Sequence, residues 1–463
     1  MFRISTFFSM LLILFTTFTL ARAGNSYVET ASELVDNNLY FTAVPYMKEY
    51  LAVGGVASNS RVEDLIDEII TNTGVRQFEV FPIRILERSN APIIRYILAK
   101  KYFRRGKYDR ALGNLRKKIS TRHSVKPFAL LLEASIHAIQ KRYASAVKVY
   151  KQCINVSNMH IKREGDPNRS RQLSVNRDNC IVGIPRAQFA AKKHNVANLS
   201  YLDLSKESYI WPEILFEEAW NSFYMEDYNR TLGKLVTYKA PVFDYIFNPE
   251  VDVLRALSYL HLCLYKDVKK TIDEYYSRYE KETDRLHGSL RRYGKNYKLF
   301  FSLADKARTG KLGAKNRILG RMLKAILRDP AYIEQRAAYS KGLKEIEALS
   351  NLDGRRKKRE FLRNLKTSLE LQRDLIGSYV RKNLYMFISQ LNKGFEGMSS
   401  IGLEINYRRK ERIYRGLGDF DRTRGDVKYL KRNDKQYYWS FNGEFWADEL
   451  GDYVFALRSE CSK

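Results

Sequence analysis

The sequence predicts an all-α fold, in which a solenoid of helical repeats is followed by long helices and a small C-terminal β-hairpin or sheet. One spacing of small and aromatic residues recurs through about the first 280 residues, and apolar residues at helical spacing run through the last third. Only 10 prolines and 25 glycines interrupt the 463 residues. Because 44% of the residues are hydrophobic, the chain can bury a core, which excludes a disordered polycation despite a net charge of +29.

The first 23 residues have the pattern of a secretory signal peptide. Arg3 provides a basic start, an apolar run spans 7–20, and Ala21-Arg22-Ala23 is a small-x-small cleavage signal. We expect cleavage after Ala23 and export to a periplasm, which makes a bacterial origin part of the inference. The alternative is an uncleaved segment that holds the protein at the membrane as an anchored adaptor.

Four cysteines in an exported chain indicate up to two disulfides, for which three connectivities are possible. Cys153 and Cys180 flank a polar stretch, so a bridge between them would close the base of a long loop and contribute about 3 kcal/mol. Cys263 and Cys461 then form the other pair. The alternative is four unpaired thiols.

The recurring spacing consists of a small residue, a tyrosine nine positions later, and a small or β-branched residue three positions after that. This spacing is typical of two antiparallel helices that approach closely at the small residues and reverse at a turn such as Arg105-Gly106-Lys107. Stacked pairs would bury a continuous core, and a weaker copy is expected near Ile66. The copies are Ala31/Tyr40/Ala43, Ala99/Tyr108/Ala111, Ala134/Tyr143/Ala146, Ala219/Tyr228/Thr231 and Ala256/Tyr265/Val268.

The segment Ala99-x-x-Tyr102-x-x-x-Gly106-Lys107-Tyr108-x-x-Ala111-Leu112 resembles the tetratricopeptide repeat (TPR) family. The resemblance covers roughly residues 27–280 in broken form, and most units lack the tryptophan of the first helix and the closing proline of the family pattern. It implies a TPR-like helical-repeat solenoid that binds other proteins without catalysis. The groove residues that hold a partner vary within the family and are not carried over. An irregular all-helical domain is the alternative.

Composition and turn residues divide the chain into segments. Turn formers such as Gly165, Asp166 and Pro167 predict a loop-rich insertion in the middle of the repeats. The expected order is the signal peptide at 1–23, TPR-like repeats at 24–153, the insertion at 154–207, further TPR-like repeats at 208–285, long basic helices at 286–425, and an aromatic β-rich tail at 426–463.

The basic segment is expected to contain three helices. One covers Arg317 to Leu327 and stops before Asp329-Pro330, and a second runs from about Ala331 to Leu352. A third begins near Arg356, and its coiled-coil-like apolar spacing continues to about residue 407. Glycines at 377, 394 and 397 make a break in this last helix conceivable.

In the tail, Asn442-Gly443 stands between aromatic runs and predicts a β-hairpin. Tyr453, Phe455 and Leu457 alternate at period two and predict a third strand. We expect this small sheet to pack its aromatic residues against the helices.

The same tail holds a cluster of carboxylates and tryptophans, the composition of a sugar-cleaving site. The simpler interpretation is that these carboxylates balance nearby basic helices. The residues are Glu444, Asp448, Glu449 and Asp452, beside Trp439 and Trp446.

Two basic clusters are the candidate surface for an acidic partner protein, a glycan or an anionic membrane. Nucleic acid is not expected as a partner of an exported protein, and a solvated charged face is the alternative. The clusters are Arg355, Arg356, Lys357, Lys358 and Arg359, and Arg408, Arg409 and Lys410.

The signal peptide and the repeats predict an exported scaffold, and the plan resembles exported tetratricopeptide proteins of bacteria. This resemblance implies a non-catalytic role in a cell-envelope complex that serves envelope assembly or surface and motility machinery. Its repeat groove would bind other envelope proteins. No phosphate-binding loop, nucleophile elbow or metal-ligand spacing is present in the sequence, so we predict no catalytic residue, cofactor or metal. The alternative class is a carbohydrate-active hydrolase that uses the tail carboxylates.

Overall fold

The computed structural model describes residues 26–53, 60–116, 119–313, 317–351, 355–414, 425, 434 and 443–461. The expected signal peptide at 1–23 lies outside these residues. Among the described helices, none is both long enough and apolar enough to span a lipid bilayer.

The chain forms two compact units, and each is assembled from two separate stretches of sequence. Unit 1 comprises Met1–Cys180 and Ala331–Gly377, and unit 2 comprises Ile181–Pro330 and Ser378–Lys463. The linear order of segments read from the sequence does not anticipate this interleaving.

The helices of the first half are short and mostly paired. They are α1 (26–36), α2 (Tyr40–Val53), α3 (Ser60–Thr73), α4 (Arg76–Glu79), α5 (Ile83–Leu86), α6 (Pro92–Arg104), α7 (Tyr108–Arg116), α8 (Lys126–Ile139), α9 (Tyr143–Ile161), α10 (Pro167–Ala190), α11 (His194–Tyr201), α12 (Trp211–Tyr224) and α13 (Tyr228–Val236). The remaining helices include the two longest, the 29-residue α15 and the 60-residue α19. They are α14 (Glu250–His261), α15 (Tyr265–Tyr293), α16 (Tyr297–Arg308), α17 (Arg317–Arg328), α18 (Pro330–Ser350) and α19 (Arg355–Tyr414).

The five predicted helical hairpins are confirmed. Each pattern tyrosine is the first residue of the second helix of its pair, as Tyr108 is for α7 and Tyr143 is for α9. The small and β-branched pattern residues are completely buried, which is what a close helix crossing requires. The weaker copy near Ile66 is less regular, because α3 is followed by the single-turn helices α4 and α5.

The turns of these hairpins share a backbone conformation that the sequence does not display. Two residues before each second helix, φ is positive, and the next amide donates to the carbonyl five residues earlier, as Lys107 N does to Tyr102 O at 3.0 Å. This is the Schellman ending of a helix, in which a left-handed residue is usually glycine. The turn residues are Asn38, Gly106, Lys141, Lys192, Glu226 and Cys263.

Lys192 identifies a sixth hairpin, formed by α10 and α11. Lys193 N donates to Gln188 O at 2.9 Å, and the fully buried Ala197 occupies the small position of the second helix. The spacing of small residues and tyrosines does not identify this unit. His194 stands where the tyrosine is expected at the start of α11, and Pro185 stands in place of the first small residue.

Adding bulk at Ala111 and Ala197 tests whether the sixth hairpin packs like the others. Both side chains are fully buried, so leucine at either position is expected to lower the free energy of unfolding by about 1–3 kcal/mol, measured by urea denaturation. Lys107→Leu at an exposed turn position is the control and should be near neutral. If Ala111→Leu lowers the free energy of unfolding and Ala197→Leu leaves it unchanged, α10 and α11 do not cross as a repeat pair.

The prediction of a loop-rich insertion at 154–207 is wrong, because α9, α10 and α11 cover most of it. The turn formers begin a helix instead. Asp166 Oδ1 accepts a hydrogen bond from Asn168 N at 2.9 Å, and Pro167 is the first residue of α10, where its missing N–H costs nothing. Within α10, Asn176 lies buried and donates to Ser157 Oγ at 3.3 Å.

Both disulfides pair as predicted. Cys153 is joined to Cys180 with Cα atoms 6.1 Å apart, and Cys263 is joined to Cys461 with Cα atoms 5.0 Å apart. The first bridge connects α9 to α10, so it links two helices and does not close the base of a loop.

The predicted C-terminal β-hairpin and sheet are wrong. Residues 436–442, which include its first arm and Asn442, lie outside the described part of the chain. Residues 443–461 contain turns, irregular backbone and one isolated bridge residue, Leu457, but no strand. The backbone groups of 453–457 bond to a helix instead. Phe455 N donates to Asn229 O at 3.0 Å and Leu457 N donates to Asn229 Oδ1 at 2.8 Å, so the alternating residues pack on α13 without pairing strands.

The three long helices of the basic segment are confirmed as α17, α18 and α19. Helix α19 runs for 60 residues without a break at its glycines. In unit 2, Gly394 allows a close approach, because a Cβ at this position would lie 2.0 Å from Tyr275 Oη. The Tyr275 hydroxyl donates to Leu391 O at 3.1 Å.

Candidate functional site

Unit 2 contains an open groove of about 890 Å³, which we call the α12 groove. Its walls are one face of α12, one face of α19, the ends of α10, α11 and α17, and the segment 245–248. All of these residues belong to unit 2.

Helix α12 provides the aromatic wall. It starts with Trp211-Pro212, a favourable first turn, and buries Ile214, Leu215 and Ala219 in the core of the unit. Its opposite face carries a second row of residues at helical spacing that line the groove. These residues are Glu213, Phe216, Glu217, Trp220 and Tyr224.

Helix α19 provides the facing wall with residues three, four and seven positions apart, namely Asn383, Met386, Phe387 and Gln390. Phe387 packs edge-on against Phe247, with ring centroids 5.1 Å apart, which holds the segment 245–248 against this helix. Met386 is 43% exposed, so its flexible thioether is available to an apolar ligand group.

A charged pair lies inside the groove. Arg186 Nη2 is 2.6 Å from Glu217 Oε1 and its Nε is 2.9 Å from Oε2, a bidentate contact. Burial acts to lower the pKa of Arg186, but the Glu217 carboxylate outweighs it and the pKa is raised. Burial and the same carboxylate raise the pKa of Tyr201, whose hydroxyl donates to Glu217 at 3.5 Å. Arg186 therefore stays charged and lies in bidentate contact with the Glu217 side chain.

Glu213 is the more accessible carboxylate of α12. Its side chain is 72% exposed and Arg186 approaches it only to 3.6 Å. Desolvation by the groove walls raises the pKa of Glu213, and Arg186 acts in the opposite direction. A cationic ligand group at this position would favour the ionised carboxylate.

The lining of the α12 groove is acidic, although the protein as a whole is strongly basic. Four carboxylates face two guanidinium groups, and one of the latter, that of Arg328, lies 4.0 Å from the centre of the Tyr245 ring. The groove thus combines aromatic surface with a net negative charge, which suits a ligand with apolar and cationic groups. The carboxylates are Glu213, Glu217, Glu250 and Asp329.

The first predicted basic cluster lies in unit 1 at the start of α19. Arg356, Lys357 and Arg359 are exposed, and Lys358 donates to Ser350 O at 2.6 Å. The side chain of Arg355 lies outside the described residues.

The second cluster lies in unit 2 near the end of α19. Arg408 contacts Glu404 at 2.6 Å, and the hydrogen bond to this carboxylate raises the pKa of Arg408. Lys410 lies 5.7 Å from the centre of the Tyr414 ring, and Arg409 is half-buried. Neither cluster lines the α12 groove.

The tail carboxylates do not converge on the α12 groove. Glu444 and Asp448 are exposed, Glu449 is half-buried, and Asp452 pairs with Lys206 at 2.7 Å. Trp446 is exposed, and Trp439 lies outside the described residues. In the part of the chain that the structure describes, no three His, Cys, Asp or Glu residues are grouped as metal ligands.

Sequence reasoning missed every residue of the α12 groove. A signal was present in the segment 211–224, where aromatic residues occupy both faces of one amphipathic helix. A helix that carries a second aromatic face beyond its core face has more apolar surface than one core can bury.

No protein-family model matches the sequence, and no curated protein matches it. Among solved structures, the chain is similar to a signal-transduction ATPase with numerous domains from Pyrococcus horikoshii that has a tetratricopeptide repeat sensor, at 11% identity and a TM-score of 0.34. That alignment covers 85% of this chain and 54% of the other, so this chain spans about half the length of that protein. A circular tandem repeat protein with a novel repeat topology is similar at 12% identity over 82% of this chain and 90% of the other, with a TM-score of 0.16. Such TM-scores carry no weight for function.

Proposed function

We propose that this protein is a non-catalytic interaction scaffold that binds a segment of a partner polypeptide in the α12 groove. The observation that supports it best is the groove itself: about 890 Å³ of open space between two helix faces, lined by aromatic side chains that the core of the unit buries only in part. Helical-repeat proteins commonly bind partners on surfaces that successive hairpins create.

The composition of the groove favours a basic partner segment with apolar side chains. Trp220, Tyr224 and Phe216 offer flat surface to aliphatic or aromatic groups, and Glu213 offers a carboxylate to lysine or arginine. This partner differs from the acidic partner, glycan or anionic membrane predicted for the basic clusters, which stays a prediction for those surfaces.

We place this scaffold in an oxidising compartment, consistent with an exported component of a cell-envelope complex. Two disulfides use all four cysteines of the sequence, as is usual in exported proteins and rare in the reducing cytosol. The proposal assigns no catalytic role to the tail carboxylates, of which Asp452 already pairs with Lys206.

Peptide selection with the full-length protein tests the groove. Displayed random peptides that bind are expected to combine lysine or arginine with aromatic or aliphatic residues. Glu213→Lys should weaken the affinity for the best peptide by about tenfold or more. It replaces the exposed carboxylate with a positive charge that repels the lysine or arginine of the peptide. Affinity is measured by fluorescence anisotropy with the synthetic peptide.

Two matched variants serve as controls. Glu207→Lys makes the same charge change at an exposed position outside the groove and should leave affinity within about twofold. Met386→Ser should weaken binding, whereas Leu403→Ser, at a 69% exposed position of the same helix, should not. Equal effects of Glu213→Lys and Glu207→Lys would contradict the proposal.

A further inference from the structure

A second, smaller cavity in unit 2 has the opposite charge. It measures about 120 Å³ and lies between α13, α14, α15 and α17 beside the segment 238–248. We call it the arginine cavity, because three guanidinium groups and one ammonium group line it together with a single carboxylate, Asp252. The cationic residues are Lys239, Arg255, Arg278 and Arg321.

The nearby carboxylates are already engaged. Asp252 is shared by Arg255 at 3.1 Å and Arg278 at 2.9 Å, and Arg255 also contacts Glu274 at 2.9 Å. A third carboxylate, Asp244, contacts Lys324 at 3.0 Å, and its pKa is lowered by Lys324 and also by Arg321. Four cations therefore face three carboxylates, of which only Asp252 belongs to the lining, and the cavity keeps an excess of positive charge. Partial desolvation and the neighbouring Arg255 lower the pKa of Lys239, although its side chain remains accessible to solvent.

Donor groups in the cavity residues are left without acceptors. The Nε atoms of Arg255 and Arg321 are buried and have no hydrogen-bond partner among the described residues. Arg321 makes a long hydrogen bond from Nη2 to Ile246 O, at 3.5 Å, and its guanidinium lies 6.0 Å from the centre of the Phe247 ring. A buried donor without an acceptor is destabilising, so a ligand with several acceptor oxygens would be favoured here.

We propose that the arginine cavity binds a small tetrahedral oxyanion, of the phosphate or sulfate type. The volume of about 120 Å³ admits one such group, and guanidinium groups match the spacing of its oxygens. Arg278 and Lys239 are partly exposed, so they lie where an anion would enter. The cavity shares Ile246 and Asn248 with the lining of the α12 groove, but its cationic residues are not groove residues, and the proposal does not depend on the function proposed for the groove.

Titration with inorganic phosphate tests the proposal. The melting temperature of the full-length protein is followed at constant ionic strength, with phosphate replacing chloride. We expect saturable stabilisation of the wild-type protein and an apparent affinity about tenfold weaker, or lost, in Arg321→Gln. Lys324→Gln removes the same charge from the same helix outside the cavity and should leave phosphate binding unchanged.

The variants also report on folding. Without phosphate, Arg321→Gln should be at least as stable as Lys324→Gln, because it removes a charge from a positive cavity. If Arg321→Gln does not fold, the exposed Lys239→Gln takes its place and should also weaken phosphate binding. Equal phosphate responses in wild type, Arg321→Gln and Lys239→Gln would overturn the proposal, and so would equal stabilisation of the wild-type protein by acetate and by phosphate.

Glycerol 3-phosphate distinguishes the source of the anion. Binding as tight as that of inorganic phosphate indicates a phosphoryl group on a larger molecule, and weaker binding indicates the free ion.

Discussion

Replacing both Cys263 and Cys461 with serine is expected to cost unit 2 about 5 kcal/mol, the largest loss of stability that we predict for this chain. The bridge spans 198 residues, and the chain entropy that a bridge removes from the unfolded state grows with the length of the loop. The bridge also holds the tail at the end of α14, where Glu460 N donates to Leu262 O at 2.9 Å.

Tryptophan fluorescence during urea denaturation measures this loss in unit 2, because all four tryptophans of the sequence lie within its bounds. The matched control replaces Cys153 and Cys180, whose bridge spans 27 residues in unit 1. The control should move the circular-dichroism transition more than the fluorescence transition. A fluorescence midpoint that shifts equally in both variants would contradict the expected difference.

Replacing Lys234 with methionine is expected to destabilise unit 2 by about 3–5 kcal/mol, because it leaves a buried carboxylate without its counter-charge. Lys234 Nζ lies 2.5 Å from Glu218 Oε2, and both side chains are only 8% exposed. Lys234 also donates to Gly451 O at 3.4 Å, so the substitution removes a contact between α13 and the tail.

A double-mutant cycle separates the pair from its surroundings. Lys234→Met with Glu218→Leu should recover much of the stability that Lys234→Met loses, since no isolated charge remains buried. Lys324→Met breaks the exposed pair with Asp244, at 3.0 Å, and should cost less than about 1 kcal/mol. If urea denaturation shows that Lys234→Met lowers the free energy of unfolding no more than Lys324→Met does, the pair of Lys234 and Glu218 is as accessible to water as the pair of Lys324 and Asp244.

The parts of the fold that depend on neighbouring residues were predictable from sequence. Tyrosine spacing located the second helix of five hairpins, because its period follows from local helix geometry. The pairing of Cys153 with Cys180 was predicted from the polar stretch between them, and Cys263 and Cys461 were then the two cysteines left to pair. The sixth hairpin was missed because His194 stands in place of the tyrosine and Pro185 in place of the first small residue of the pattern.

Features that join distant residues were not predictable. Glu345 lies buried and accepts hydrogen bonds from Phe41 N at 2.7 Å and Thr42 N at 2.9 Å, at the first turn of α2. Nothing near Glu345 in the sequence indicates this role, which brings 331–377 into unit 1. The α12 groove is equally non-local, since α12 and α19 meet only in the folded unit. The prediction of a β-sheet in the tail was wrong for a related reason. The backbone of Leu457 forms hydrogen bonds with the distant side chain of Asn229, whereas the local strand pattern predicted hydrogen bonds to a neighbouring strand.

The bridge between Cys263 and Cys461 gives the chain an unusual covalent topology. It closes a ring from 263 to 461 that leaves unit 2 after Pro330, supplies 331–377 to unit 1, and returns to unit 2 at Ser378. Because a ring must be opened twice to fall apart, a single proteolytic cut between 264 and 460 leaves one covalent molecule. Its two pieces separate on a denaturing gel only after reductant is added, whichever unit contains the cut.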